Sequence, residues 1–229
     1  ARLAQTSGRL DRVPIRLLRI AQRRLEMLGR GARRVLFAAA TIGDRVPRDL
    51  LTRVVHNVFH DDKCERHVTA LIDDGFLRPC GAEIPGDLEF SHALLNSSVA
   101  QLVPAAACDE LHAAIVDAAD ALELGSRMDP ELLARHAEAA GYTRRAFTYY
   151  TAAADAARLR HEAQRAALLY EHARTVAASS AWNFDVGRVE FALAHALYQL
   201  ERFDAANQVW SAAFASMAET GYEPAPRDE

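Results

Sequence analysis

Four side chains that can ligate a transition metal stand close together in the sequence: His56, His60, Cys64 and His67. On an unbroken helix they would share one face, and imidazole with thiolate at that spacing could hold zinc. The run Asp62-Lys63-Cys64-Glu65 argues against an unbroken helix. It reads as a capping box, with the Asp62 carboxylate accepting the Glu65 N–H and Glu65 reaching back, so a new helix begins there and separates His60 from Cys64. No metal site is expected. Neither a GxxxxGK[ST] phosphate loop nor a Ser/His/Asp order is present, and no paired carboxylates stand in a pocket-like context. This stretch therefore cannot hydrolyse a nucleotide by itself, and it is expected to contain no catalytic residues and to hold no cofactor.

The elements around those residues follow from apolar spacing. Residues 1–14 form a basic lead-in, expected to be flexible. Pro14 suits a first helical turn, and Leu17, Leu18, Ala21, Leu25 and Leu28 then recur at helical spacing. Gly31 to Ile42 predicts a second helix, Pro47 to Val58 a third, and Asp62 to Asp74 a fourth closed by Gly75. Phe76–Cys80 and Leu88–Ser91, separated by Gly81–Asp87, predict a β-hairpin. Three helices and one small hairpin make a winged helix. With the preceding helix it is expected to span 15–104.

Residues 105–220 read as an irregular TPR-like array of α-helices, followed by a polar tail at 221–229. Ala146, Ala166 and Ala206 are each followed four residues later by an aromatic (Tyr150, Tyr170, Trp210) and three after that by Ala153, Ala173 or Ala213. Small residues let paired helices approach and the aromatic fills the space between them, which is the logic of helical-hairpin repeats. The spacing is irregular against a 34-residue period, so the array is TPR-like rather than TPR. The fold class expected throughout is mainly α.

Charge narrows the function further. Half of the 229 residues are hydrophobic and a quarter are charged, an ordinary globular balance. Ten arginines crowd the first 34 residues, yet the predicted fourth helix sets Lys63 and Arg66 against Asp62, Glu65, Asp73 and Asp74. A helix that enters a DNA groove needs cations for phosphates, so direct DNA reading by this unit is disfavoured. Cys64, Cys80 and Cys108 form no CxxC pair, which fits reduced thiols in a cytoplasm. No apolar run reaches the roughly 18–20 residues needed to cross a bilayer, and no membrane partner is expected. The chain opens at Ala1 in mid-pattern, as expected of a segment from a longer protein.

The run Leu25-x-x-Leu28-x-x-x-Ala32-Arg33-Arg34-Val35-Leu36-x-x-Ala39-Ala40-x-Ile42-Gly43 resembles a segment of the STAND-class signalling ATPases. So do Leu71-x-x-x-Gly75-Phe76-Leu77, Phe90-Ser91-His92-Ala93-Leu94-Leu95 and Leu111-His112-x-x-Ile115. The resemblance covers about residues 15–175. It implies a winged helix and TPR-like array that follow an AAA-type ATPase core, with a LuxR-type DNA-binding domain or a nucleotide cyclase as output. On that reading the segment clamps its own upstream ATPase domain, which would bind ATP or ADP. The array would take an inducer or protein partner, and DNA would be met only through a separate output domain. His92 matches the nucleotide-sensing histidine of the Met-His-Asp signature, although Ser91 and Ala93 replace its neighbours. Arg16, Arg19, Arg23 and Arg24 would lie against the ATPase core. The alternatives are the regulatory tail of an ATPase-containing cyclase and a stand-alone winged-helix DNA-binding protein.

Overall fold

The computed structural model describes residues 15–80, 86–179 and 184–220. The lead-in 1–14, most of the turn between the two hairpin strands and the tail 221–229 lie outside them. The protein is mainly α, with eleven α-helices and one three-stranded sheet among the described residues. It divides into two units, one ending at Leu122 and the other beginning at Glu123.

In the first unit α1 (Ile15–Met27) packs on α5 (Ala93–Ala100), with Ala21 and Leu25 buried. Its C-terminal carbonyls would face water unpaired. The Arg33 guanidinium supplies donors instead, to Leu25 O at 3.0 Å and Leu28 O at 3.1 Å. Helix α2 (Arg30–Ile42) is the centre of the unit, burying Ala32, Val35, Leu36, Ala38, Ala39 and Ile42. Gly31 leaves room for the His67 ring, which would have to shift to admit a Cβ there.

Strand β1 (Arg45–Val46) leads into α3 (Arg48–Phe59) and α4 (Cys64–Asp73). Helix α4 ends in a Schellman turn: Phe76 N–H donates to Leu71 O and Gly75 N–H to Ile72 O, with Gly75 at φ 70°. Strands β2 (Leu77–Pro79) and β3 (Leu88–Phe90) form the expected antiparallel pair. Strand β1 adds to the far side of β3, giving the order β1-β3-β2. Two residues are too short for an alternating pattern, so this third strand left no sign in the sequence.

Two further expectations are corrected. The capping box does not form: α4 has no side-chain cap, Asp61 Oδ1 accepts Lys63 N–H at 2.9 Å, and Glu65 turns away to Arg48. The boundary after residue 104 also moves. Helix α6 (Ala105–Ala121) packs on α2 and α3 through Leu111, Ala114 and Ile115, so it belongs to the first unit.

The second unit is a run of helices: α7 (Pro130–Ala139), α8 (Thr143–Leu159), α9 (Ala163–Ala178), α10 (Val186–Gln199) and α11 (Phe203–Thr220). Each packs on the next. Asp129 caps α7 by accepting Glu131 N–H, and Pro130 takes the first helical position. Three of the connections are the same turn. Gly141, His161 and Glu201 stand at φ 74°, 60° and 59°. The residues after them, Tyr142, Glu162 and Arg202, donate their N–H to Ala137, Ala157 and Leu197. The repeating unit is therefore one helix and one turn, with a period of twenty residues. Ala146, Ala166 and Ala206 fall in register with it, and all three are fully buried. The spacing that is irregular against a 34-residue period is regular in this shorter one.

Candidate functional site

The zinc-like set is not gathered. His60 sits at φ 52°, in the left-handed region, where it ends α3. His56 Nδ1 lies 2.7 Å from Asp62 Oδ1, and His67 Nε2 lies 3.3 Å from Asp61 Oδ2. Cys64 is buried against Thr52, and burial pushes its thiol up to about 11. Among the described residues no three His, Cys, Asp or Glu side chains converge on a common point.

The acidic side chains at the start of α4 are paired. Asp61 and Asp62 are engaged by histidines, and Glu65 by Arg48. Lys63 and Arg66 have no side-chain ion pair among the described residues. They line a cleft of about 790 Å³ together with Arg30, Arg34, His60, His67 and Asp74. Asp61 and Asp62 line the same cleft, so its charge is mixed.

The residues expected to face an ATPase core separate into two kinds. Arg19 and Arg23 are exposed on α1, one turn apart, whereas Arg16 lies on α1 where side chains are not described. Arg24 is committed within the unit. Its Nη2 donates to Asp74 O at 2.7 Å, and its guanidinium lies 4.3 Å above the Phe76 ring. His92 is exposed at the N-cap of α5 in extended conformation. Its carbonyl accepts from Leu95 and Asn96, while its ring makes no cap bond. Phe76 joins these two regions: its ring carries Arg24 and its carbonyl accepts Ser91 N–H at 3.0 Å, one residue before His92. Beneath His92, Asn96 donates to Asp44 Oδ1 at 2.6 Å, and its own Oδ1 is buried without a partner.

In the second unit the aromatic positions do more than fill space. Tyr150 donates to Glu138 on α7, and Tyr170 to Asp155 on α8, each at 2.6 Å. Burial and the neighbouring carboxylate raise both phenols, Tyr170 to about 12. Asp155 also takes Arg188 from α10 at 2.9 Å. The two belong to a groove of about 440 Å³ lined by Arg158, Asp185, Phe191 and His195. A ligand there would meet two carboxylates, two guanidiniums, an exposed phenyl ring and an exposed imidazole. A second network ties α7 to α9: Glu131 accepts from Arg135 and, at 2.8 Å, from Arg165. Burial raises the Glu131 carboxyl, but the Arg165 hydrogen bond and the charges of Arg135 and Arg165 outweigh it and leave it below the ordinary value.

Sequence reasoning missed Glu190. It occupies in α10 the place that Tyr150, Tyr170 and Trp210 hold in the other helices. It is buried, and burial raises its carboxyl in spite of Arg174. The twenty-residue register would have found it; an aromatic-to-aromatic comparison could not. No family model, curated protein or solved structure matches the chain.

Proposed function

We propose that this chain is a non-catalytic regulatory and sensor segment of a STAND-type signalling ATPase, in its full form a transcriptional regulator. The first unit would be a winged helix that clamps the ATPase core of its own protein. The second would be a TPR-like array that binds an inducer or protein partner.

The observation that carries this reading is the element order of the first unit. Helix, strand, two helices and two strands, with the sheet ordered β1-β3-β2, is the order a winged helix would need and supports that reading. The repeated turns of the second unit support helical hairpins in register. Fold alone does not name a function, so the assignment to this class rests on the motif resemblance. Within that reading, the exposed Arg19 and Arg23 are the contact to the core, and Arg24 holds α1 to α4 and Phe76 so that they are presented together. His92, exposed at a helix start with no side-chain cap bond, would be the donor to an anionic group.

The test uses the natural full-length protein. Arg19→Glu with Arg23→Glu should loosen the clamp, raising nucleotide exchange and basal output while leaving the helical content unchanged. Unchanged exchange in that variant, or ATP hydrolysis by the isolated 229-residue chain, would overturn the proposal.

A further inference from the structure

We infer that the groove between α8 and α10 binds a free α-amino acid with an apolar side chain. The inference rests on the proposed reading of the array as the inducer-binding unit, and it names the class of inducer. Helices α8 and α10 both pack on α9, and Asp155, Arg158, Asp185, Arg188, Phe191 and His195 line the space of about 440 Å³ between them. A pocket of that size suits a small molecule. One network holds its cations. Tyr170 of α9 is fully buried and donates to Asp155 Oδ1 at 2.6 Å, and Asp155 Oδ2 accepts from Arg188 Nη2 at 2.9 Å. The Arg158 guanidinium lies beside the Tyr170 hydroxyl and works against the rise of that phenol.

What remains open to a ligand carries both signs of charge. Both Asp155 oxygens are engaged, whereas Arg158 has no ion pair among the described residues and Arg188 keeps further N–H donors. From Thr143, Ala163 and Phe203 the twenty-residue register puts the start of α10 at 183, yet it begins at Val186. Asp185 therefore caps the helix instead of lying within it: its Oδ1 accepts Arg188 N–H, and its Oδ2 meets no donor among the described residues. A simple anion would leave Asp185 opposing it, and a simple cation would meet Arg158 and Arg188. A free amino acid carries both charges on one carbon, where a peptide end carries only one. Its carboxylate pairs with the two guanidiniums, its ammonium with Asp185 Oδ2, and its side chain lies on the exposed Phe191 ring.

Calorimetric titration of the 229-residue chain with L-phenylalanine and L-leucine tests this. Saturable binding of at least one is expected. N-acetyl-L-phenylalanine lacks the ammonium and L-phenylalaninamide the carboxylate, so each should bind about tenfold more weakly than L-phenylalanine, or worse. Asp185→Asn keeps the cap acceptor but removes the charge; it and Arg158→Gln, both at exposed residues, should weaken binding similarly with unchanged circular dichroism. No binding of either amino acid would overturn the inference. So would an acetyl or amide analogue that binds as well as L-phenylalanine, the former being the result for a peptide C-terminus. Binding that survives both Arg158→Gln and Asp185→Asn would place the ligand elsewhere and overturn it too. The titration uses this chain alone, so its failure is distinct from failure of the exchange test on Arg19 and Arg23.

Discussion

Tyr150 and Tyr170 each find a carboxylate on the preceding helix, whereas the Trp210 Nε1–H, in the same place on α11, is buried with no acceptor. The contrast runs through the whole array. Helices α7–α9 pair their buried polar groups and tie their ends together through Glu131, Arg135 and Arg165. The hairpin α10–α11 buries Glu190 where a ring is expected, and it exposes Phe191, Tyr198, Phe203 and Phe214. One register thus produces two outcomes: a scaffold that satisfies itself and a hairpin that leaves large apolar side chains exposed.

Replacing the scaffold's central ring should have the largest effect. Tyr170 is fully buried, so Tyr170→Ala should cost about 3–5 kcal/mol in urea unfolding, while Phe214→Ala in the exposed end should cost far less. Equal losses would erase the distinction. Removing only the donor is the finer cut. Tyr170→Phe should cost about 1 kcal/mol through the lost bond to Asp155, whereas Trp210→Phe loses no hydrogen bond and should be much milder.

The two carboxylates give a smaller and opposite pair of effects. Glu131 is held below its ordinary value, so its contribution is present above the unfolded pKa and is lost as pH falls through the folded one. Glu131→Gln should therefore flatten the acid limb of the stability curve, at a cost of about 1 kcal/mol or less near neutrality. Glu190 is raised, so the fold favours its protonated form; that stability is present below the unfolded pKa and fades as pH rises through the folded one. Glu190→Gln should then stabilise the protein at neutral pH and lose its advantage in acid, as read by thermal unfolding across pH. A destabilising Glu190→Gln at neutral pH would mean that the charged carboxylate has a structural partner.

Much of this was legible in the sequence. Apolar spacing located the helices to within a few residues, because Leu50, Leu51, Val54 and Val55, or Val68 and Leu71, mark a buried face whatever the tertiary detail. The β2–β3 pair was legible from its turn residues. Strand β1 was not, since its two residues, Arg45 and Val46, carry no alternating pattern and pair with a strand distant in the sequence. The capping box failed because Asp61, His56 and Arg48, none of them within the motif, compete for the same groups. The repeat length was hidden for a related reason: His161 and Glu201 occupy a left-handed turn position that glycine would have advertised, and Glu190 breaks the aromatic series. Among the expected contact residues, the sequence could not tell Arg24, bound to Asp74 and Phe76, from the exposed Arg19 and Arg23.

Amide hydrogen exchange of the 229-residue chain bears most directly on the difference between the α7–α9 scaffold and the α10–α11 hairpin. Protection should be highest along α8 and α9, whose buried polar groups are paired, and lower along α10 and α11. Equal protection in all four helices, or the highest protection in α11, would contradict the account.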